Sequence, residues 1–471
     1  MTSTITKSDF LQFRESPIHF WAACHDEQTS RSFNEFQQHL AAQGRETERL
    51  AYTYLESVVL PAYEDAELIW QAEYTDGPFY AKLDGLIHDK IRNTYDLYEI
   101  KASTKPDKHL EDIAFQILVC EANIRINHAY LLHLNKDYLR SGDLQLADLF
   151  VCTKMDEDIA GVRDEIMTAR EACVRSSQLQ DPHNLEPCYK PKDCPCRHLC
   201  HPDLPAYPIY DVPRISKDKL NTLRSAGILS IHDIPNDIEL SEKQQAVVDV
   251  IRSQQPAIDH RSICESLSEI AYPIAFLDYE AALTAIPAYD GYHPNENLAF
   301  QYSLHVIETS GADALHYEFL GDGYGDPARH LVAHLSQHMP QTGSVVVWNK
   351  TYEQGINTLL GRSYPEYEAF TQNMNARIYD LMNIFRDGHY HHPDFRGSYS
   401  IKAILPVLVP QLSYAGMPVA HGGQAVHTWN LLTASEISTS EKQQLRTELL
   451  AYCRLDTLAM VEIWRELQSL C

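Results

Sequence analysis

The sequence predicts an α/β protein of more than one domain, and three observations support that fold class. A chain of 471 residues is longer than one ordinary hydrophobic core accommodates. Near its start, three strand-like segments precede a helix, namely AELIWQAEY, FYAKLDGLIHD and YDLYEIKAST before EDIAFQILVCEANI. Further along, the apolar strands YPIAFLDYEAA and NLAFQYSLHVIE precede alternating helices and strands, which end in the helix TELLAYCRLDTLAMVEIWREL.

These patterns divide the chain into three expected domains. Residues 1–205 form an α/β domain that closes with a cysteine cluster and the proline-rich stretch HPDLPAYPIYDVP. Residues 206–268 form a helical linker around a Gly turn, and residues 269–471 form a mixed sheet flanked by helices. The linker is similar to a helix-hairpin-helix module, which offers backbone amides to a phosphate. A structural spacer is an equal alternative, because the linker has no basic cluster beyond Lys217, Lys219 and Arg224.

The charge balance argues against generic binding to nucleic acid. The chain has 39 Lys and Arg residues against 65 Asp and Glu residues, which gives a formal net charge of −26. Because basic residues dominate nucleic-acid affinity, any nucleic-acid path must be a local basic groove, and Arg386 and Arg396 are candidates for phosphate contacts. No apolar run approaches the roughly 18 residues of a membrane helix, and MTSTITKSDFLQF lacks the features of a signal peptide. We therefore expect a soluble cytoplasmic protein without a membrane partner.

A first set of charged residues lies in the N-terminal segment. Asp84 ends an apolar strand, and Glu99 and Lys101 lie on the next strand. Because alternate side chains of a strand share a face, Glu99 and Lys101 point the same way while Ile100 enters the core. Asp84 and Glu99 can bind one divalent metal ion through oxygen. Lys101 can orient or help to deprotonate an attacking water, or stabilise the charge that develops on a phosphate.

A second set lies in the C-terminal segment. Asp278 and Glu280, in FLDYE, share one face of a strand, and Tyr452 and Asp456, in YCRLD, share one face of a helix. Between them, WNKTYE places Glu353 at a strand-to-helix corner. Carboxylates from a strand and two helices can hold two metal ions for in-line phosphodiester cleavage, and Tyr452 would position the attacking water.

The first set resembles the active site of PD-(D/E)XK nucleases, specifically their RecB-like branch. In that branch a helix before the sheet supplies a further ligand, which the match to GRETERLA assigns to Glu46, with Glu48 as the alternative. The branch also has a Gln on the following helix, matched by Gln116, whereas the Tyr often found one turn later is Cys120 here. The resemblance implies that Asp84, Glu99, Lys101 and Gln116 are catalytic and that Glu46, Asp84 and Glu99 bind metal.

Several RecB-like enzymes carry a [4Fe–4S] cluster with one ligand near the N-terminus and three after the nuclease core. In this chain, the family's N-terminal Cys-Pro is Ser16-Pro17, and Cys196 or Cys24 could supply the fourth thiolate. Clustered cysteines in a reducing cytoplasm suggest metal ligation rather than disulfides, and four thiolates suit Zn²⁺ as well as an iron–sulfur cluster. The expected ligands lie within thirteen residues: Cys188, Cys194, Cys196 and Cys200.

The second set resembles the DEDD exonucleases of the RNase H-like fold, in their tyrosine-containing version. The order D-x-E, then N-x-x-[FY]-acid, then Y-x₃-D is the same, although the second motif normally ends in Asp and here ends in Glu353. Asp380 and the segment GSYSIKAILPVL also correspond to supporting positions of that family. The resemblance implies a catalytic role for five residues: Asp278, Glu280, Glu353, Tyr452 and Asp456.

The whole pattern resembles an uncharacterised bacterial family that joins these two kinds of nuclease domain. It implies a restriction-endonuclease-like first domain and an RNase H-like last domain. The expected activity is hydrolysis of phosphodiester bonds in single- or double-stranded DNA, with Mg²⁺ or Mn²⁺ as cofactor. Two alternatives remain open, a nuclease acting on RNA and a nucleic-acid-binding or scaffold protein with one degenerate nuclease domain. Glu353, Ser16 and the net charge favour the scaffold alternative.

Overall fold

A computed structural model describes residues 4–29, 35–105, 109–434 and 437–471. The fold is mixed α/β, as the sequence predicts, and it divides into two compact units. The first unit consists of residues 1–202 and 284–296, and the second consists of residues 203–283 and 297–471. Within the described residues, no helix is long and apolar enough to cross a membrane.

The first unit surrounds a five-stranded sheet. Its helices are α1 (Lys7–Glu15), α2 (Pro17–His25), α3 (Glu35–Tyr54), α4 (Leu110–Cys120), α5 (Leu146–Leu149), α6 (Asp156–Ser177) and α7 (Arg197–Cys200). Its strands are β1 (Ile5–Thr6), β2 (Ala66–Trp70), β3 (Glu73–Asp76), β4 (Phe79–Lys82), β5 (Gly85–Asp89), β6 (Thr94–Lys101), β7 (Ile126–Leu134) and β8 (Phe150–Lys154).

The strand order of this sheet is β2-β5-β6-β7-β8. Strand β6 pairs antiparallel with β5 and parallel with β7, so it lies at the centre of the sheet with nearly all of its residues buried. Helix α1 begins at a capping box, in which Thr6 and Asp9 exchange side-chain-to-backbone hydrogen bonds. That cap fixes the start of the helix and the position of its first residue, Lys7.

The second unit contains another mixed five-stranded sheet. Its helices are α8 (Lys217–Ser225), α9 (Glu242–Ser253), α10 (His260–Leu267), α11 (Pro327–His338), α12 (Lys350–Ser363), α13 (Glu368–Ala376), α14 (Asn383–Arg386), α15 (Ile401–Leu408), α16 (Gly422–Thr433) and α17 (Thr439–Ser469). Its strands are β9 (Ala257–Ile258), β10 (Ile274–Thr284), β11 (Glu296–Ile307), β12 (Leu315–Leu320), β13 (Ser344–Val347), β14 (Ile378–Asp380) and β15 (Tyr390–His391).

This sheet has the order β12-β11-β10-β13-β14, with β10, β13 and β14 parallel and β11 and β12 antiparallel to each other. The long helix α17 starts at a capping box of Ser438 and Glu441 and packs its apolar face into the core of the unit, where Trp464 contacts Phe276 edge to face. The three parallel strands run in the same direction, so their carboxyl ends lie at one edge of the sheet.

The middle segment of the chain packs with the second unit. Residues 206–268 belong to the second unit, because Ile263 and Leu267 of α10 are buried in its core and β9 pairs with β15. Residues 284–296, between β10 and β11, belong instead to the first unit. The last residue, Cys471, forms a disulfide with Cys264 of α10.

Candidate metal centres

Three carboxylates of the second unit converge on one point. Asp278 and Glu280 lie on one face of β10, while Tyr279 between them points to the other face and donates a hydrogen bond to Asn357 Oδ1 at 2.7 Å. Asp456 reaches the same point from α17. One ligand oxygen from each of the three carboxylates lies within 4.8 Å of the other two. The strand and helix expected from the sequence therefore bring these three residues together.

Two tyrosines and a lysine surround this group. The hydroxyl of Tyr414 donates to Asp456 Oδ1 at 2.5 Å. Lys402 Nζ, from α15, lies 3.4 Å from the hydroxyl of Tyr452 and 5.3 Å from the ring centroids of both tyrosines. Tyr452 and Asp456 lie one turn apart on α17, and both are buried. Neither Tyr414 nor Lys402 was assigned a role from the sequence, although Lys402 falls in the GSYSIKAILPVL segment.

Glu353 lies near these carboxylates without joining the group of three. It is in the first turn of α12, whose N-cap residue is Asn349, and its side chain is 2% exposed. Within the described residues, its Oε2 atom has no hydrogen-bond partner. Its charge acts on Asp278 and Glu280, and the charge of Asp380 acts on it in turn.

Burial raises the pKa values of all these acids. It raises the pKa of Glu280 to about 8, to which the charges of Asp456 and Glu353 add. Burial also raises the pKa of Glu353 to about 8. The pKa of Asp278 lies well above its ordinary value because of burial and the charges of Asp456 and Glu280. Repulsion between crowded carboxylates disfavours their full ionisation, and a hard divalent cation with oxygen ligands would relieve it. The donor chemistry thus fits a metal ion of this type.

The first set of residues is also assembled, around the carboxylate of Glu99. Asp84 lies in the bend before β5, and its Oδ2 accepts a hydrogen bond from the backbone N–H of Ile100 at 2.9 Å. Lys101 Nζ lies 2.6 Å from Glu99 Oε1, and Gln116 Nε2 donates to Glu99 Oε2 at 2.6 Å. The four residues implied by the RecB-like resemblance therefore meet at β6 and α4.

Two further residues of this site are ones that the sequence patterns did not indicate. Lys7, the first residue of α1, places its Nζ atom 2.7 Å from Glu99 Oε1 and 3.6 Å from Asp112 Oδ1. Asp112, on α4, accepts from Lys101 Nζ at 2.5 Å. Asp112 lies one helical turn before Gln116, on the same face, which is a weak signal in the sequence. No local pattern indicates Lys7, which is 92 residues from Glu99.

The charges in this site form a closed network. Burial acts to raise the pKa of Glu99, but Lys101 and Lys7 outweigh it and lower that pKa. Burial acts to lower the pKa of Lys101, but Glu99 and Asp112 outweigh it and raise that pKa. The pKa of Asp84 rises to about 7 through burial and the charge of Glu99. Within the described residues, no third carboxylate, His or Cys approaches Asp84 and Glu99 closely enough to share one ion with them.

Glu46, which the sequence suggested as a metal ligand, does not lie with Asp84 and Glu99 in a group of possible ligands. It lies on the exposed side of α3, and its Oε1 atom is 2.8 Å from Arg49 Nη2. This hydrogen bond lowers the pKa of Glu46. Thr47 and Leu50 are the neighbours that turn inward from this helix. Glu48, the alternative ligand, is half-buried on the same helix.

The expected cysteine cluster is present, with two histidines added. The four cysteines lie near α7, and Cys196 Sγ is 3.6 Å from Cys200 Sγ. His19 Nε2, from α2, lies 3.4 Å from Cys194 Sγ, and His201 Nε2 lies 3.4 Å from Cys188 Sγ. These residues could hold a metal such as zinc or an iron–sulfur cluster. They form two overlapping groups, namely His19, Cys194, Cys196 and Cys200, and Cys188, Cys194 and His201.

The other two N-terminal candidates take no part in these groups. The Ser16 hydroxyl is buried at the start of α2, and within the described residues it has no hydrogen-bond partner. Cys24 packs against the apolar core of the first unit rather than with the cysteine cluster. Of the two proposed sources of the fourth thiolate, Cys196 is the one that lies with the other cysteines.

The second unit also has a cleft with several basic residues, of about 890 Å³. Two acidic residues, Glu239 and Glu242, line it as well. Arg214 is exposed, whereas Lys243 is 3.3 Å from Asp387. Four cations line the cleft: Arg214, Lys219, Lys243 and Arg386.

Part of the second unit matches a known protein family. Residues 275–400 match the model of a family described as a domain of unknown function, DUF2779. The matched region contains Asp278, Glu280 and Glu353 and ends before Tyr452 and Asp456. A comparison with curated proteins finds no match. The family match therefore marks one part of the second carboxylate set without assigning an activity to it.

Proposed function

We propose that the protein is a divalent-metal-dependent nuclease that hydrolyses phosphodiester bonds of DNA, with its main active centre at Asp278, Glu280 and Asp456. The observation that carries this proposal is the convergence of these three carboxylates within 4.8 Å, beside the hydroxyl of Tyr452. Oxygen ligands at this spacing suit Mg²⁺ or Mn²⁺. Metal ions held by carboxylates are a common means of cleaving phosphodiesters.

The residues of this centre have separate roles in the proposed reaction. When bound, the metal ion would polarise a phosphate oxygen and lower the pKa of a bound water. Tyr452 would orient the attacking water through its hydroxyl group. Lys402, 3.4 Å from that hydroxyl, holds it in place and offsets part of the negative charge of the carboxylates. Tyr414 fixes Asp456 through its 2.5 Å hydrogen bond.

The fold and the electrostatics agree with this proposal. A mixed sheet flanked by helices is what the RNase H-like resemblance requires, and β10 contributes two of the three carboxylates. The basic cleft of the same unit supplies the local positive groove that a chain of net charge −26 needs in order to approach a phosphate backbone.

The RecB-like set is proposed as a second and weaker centre. Glu99 already accepts hydrogen bonds from Lys7, Lys101 and Gln116, so a metal ion that binds it must compete with these donors. Because Lys101 is held in its charged form by two carboxylates, its role there is to stabilise negative charge on phosphate rather than to accept a proton. This closed network is the observation that favours the alternative of one degenerate nuclease domain.

Digestion of labelled substrates tests the proposal. The full chain is incubated with single-stranded DNA, double-stranded DNA and RNA, with Mg²⁺, with Mn²⁺ and with EDTA. We expect DNA cleavage only with a divalent metal, and a loss on the order of 10³-fold in Asp278→Asn, because the missing charge weakens metal binding and stabilisation of the transition state. Asp313→Asn, at an exposed position of the same unit, is the matched control and retains full activity.

The second centre is tested by Lys101→Ala in the same assay. A small loss with this variant, beside a large loss with Asp278→Asn, supports the unequal roles proposed for the two centres. Equal rates and products for the wild type and both variants contradict the proposal. If only RNA is cleaved, the substrate is RNA and not DNA. If DNA is bound but not cleaved, the result favours the scaffold alternative.

A further inference from the structure

The metal ligands of the first unit are arranged differently from those of a four-iron cluster. The RecB-like resemblance implies four thiolates, one of them at the position of Ser16. In a [4Fe–4S] cluster each thiolate binds a different iron, so the ligands surround a cube. Here one ligand atom each from His19, Cys194, Cys196 and Cys200 lies within 4.8 Å of the other three. These donors converge on a single point.

The distances between these donors correspond to one tetrahedral ion. Zinc bonds of about 2.3 Å to sulfur and about 2.0 Å to nitrogen imply sulfur pairs about 3.8 Å apart and sulfur–nitrogen pairs about 3.5 Å apart. Cys196 Sγ and Cys200 Sγ are 3.6 Å apart, and His19 Nε2 and Cys194 Sγ are 3.4 Å apart. One nitrogen and three sulfur ligands are a common set for structural zinc.

We propose that His19, Cys194, Cys196 and Cys200 bind one structural Zn²⁺ ion. His19 follows Ser16 by three residues, so it lies about one helical turn further along the same face of α2 and compensates for the missing thiolate. Cys188 contacts Cys194, Cys200 and His19 but is not one of the four donors that all lie within 4.8 Å of one another, and its group is completed by Cys194 and His201. Four protein ligands fill the coordination of the ion and leave no open position for substrate, which makes its role structural.

The ion would join parts of the chain that are far apart in sequence. His19 and Cys194 are separated by 175 residues, and a link across so long a loop strongly restricts the unfolded chain. Helix α2 follows α1 directly, and α1 contains Lys7, which forms an ion pair with Glu99. The zinc ion thus fixes the N-terminal helices against the end of the first unit. The zinc site is independent of the proposed nuclease activity.

Metal analysis of the full chain tests the zinc site. Protein purified anaerobically is measured for zinc, iron and acid-labile sulfide, and for absorbance in the visible range. We expect one zinc per chain, no iron and no broad visible band. His19→Ala and Cys196→Ser should lose most of the zinc. Cys188→Ser, outside the proposed set, and His183→Ala, whose side chain is 88% exposed in the same segment, should retain it.

Three results would overturn the assignment. Iron with acid-labile sulfide identifies a cluster instead of zinc, and a metal-free chain excludes a resident ion. A loss of zinc in Cys188→Ser as complete as that in Cys196→Ser shows that the ligand set is wrong. If His19→Ala does not fold, His19→Cys decides the role of this position, because a thiolate there should keep the zinc bound and loss of zinc would contradict the proposal.

Discussion

At the scale of single residues, Glu353 is a buried acid that lies close to the second carboxylate set without joining it. Its carboxylate enters from the first turn of α12, is almost completely buried, and keeps one oxygen without a hydrogen-bond partner in the described structure. A buried polar atom without a partner costs about 1–3 kcal/mol, so an ion or water that binds there is favoured. Glu353 therefore lies beside the three grouped carboxylates with one buried oxygen that an ion or a water could satisfy.

Replacing Tyr452 by Phe separates catalysis from metal binding. The hydroxyl lies beside Lys402 and Asp456, and under the proposed mechanism its loss should lower kcat on the order of 10²-fold with a smaller effect on metal affinity, because it would position the attacking water. Cleavage rates over a range of Mn²⁺ concentrations measure both quantities. Tyr414→Phe is the comparison, since it releases Asp456 and should raise the metal concentration required. The same response in both variants would contradict these separate roles.

The sequence predicts the carboxylates of both sites more completely than their partners. Asp278 with Glu280, and Glu99 with Lys101, are two positions apart on strands, and Tyr452 with Asp456 are four apart on a helix, so local geometry is enough. The missed partners of these two sites, namely Lys7, Lys402 and Tyr414, come from distant segments and meet the carboxylates only through tertiary packing, as His19 meets the cysteine cluster.

At the scale of elements, the alignment of β13 with β10 depends on one glycine. Gly343 precedes β13, has φ of +79°, and a Cβ atom there would lie 1.9 Å from the carbonyl oxygen of Pro273, just before β10. The two strands are parallel, with Ile274 opposite Ser344. Any side chain at position 343 must therefore push apart the strands that support Asp278.

Gly343→Ala should destabilise the second unit by about 3 kcal/mol or more, because overpacking adds to left-handed backbone strain. Gly416→Ala is the matched control, since Gly416 has φ of +83° but open space around its Cβ position. That variant should cost only about 1–2 kcal/mol. Urea unfolding, followed by hydrogen exchange in peptides of the second unit, measures both. Equal costs would show that the close approach of Pro273 has no effect.

Strand β11 contains a histidine that is kept neutral by its surroundings. Burial lowers the pKa of His305 to about 3, with further effects from His316 of β12 and from Arg454 and Arg465 of α17. Its Nδ1 atom lies 2.8 Å from the hydroxyl of Thr457, which also belongs to α17. The neutral ring thus joins β11 to α17, the helix that carries Asp456.

This histidine should make the second unit sensitive to acid. Below about pH 6.5 the unfolded chain takes up a proton on His305 and the folded chain does not, so the free energy of unfolding falls as the pH falls towards 3. At pH 5 the loss is about 2 kcal/mol. His305→Gln should flatten the pH dependence of urea unfolding, whereas His330→Gln, exposed on α11, should leave its slope unchanged. An unchanged slope in His305→Gln would refute this explanation.

At the scale of the whole molecule, the net charge of −26 opposes the approach of DNA, which is also negatively charged. Long-range repulsion should keep non-specific affinity low, so binding must rely on few phosphate contacts and depend only moderately on salt. The basic cleft is the region of the second unit where such contacts are expected. Helices in residues 206–268 were predicted from the sequence, whereas the packing that brings this segment beside Arg386 was not, because it depends on tertiary contacts between segments far apart in the chain.

Arg214→Ala should weaken DNA binding about equally for all sequences and reduce the salt slope by about 1, as expected for one lost phosphate contact. Fluorescence anisotropy with labelled DNA at several salt concentrations gives both values. Arg261→Ala is the control, because Arg261 is 87% exposed and pairs with Glu265 away from the cleft lining. If the two variants behave alike, the cleft does not contact DNA.

Because residues 284–296 belong to the first unit, cleavage of the chain at one position cannot separate the two units. Within that unit, Ala285 N donates to Gln43 Oε1 at 2.8 Å, Asn295 Nδ2 donates to the Ala102 carbonyl at 2.8 Å, and His293 Nδ1 lies 2.7 Å from the Tyr138 carbonyl. A protease that cleaves after Pro202 would leave this segment on the C-terminal fragment. The two fragments should then remain associated under native conditions, and separately expressed halves should reassemble by complementation.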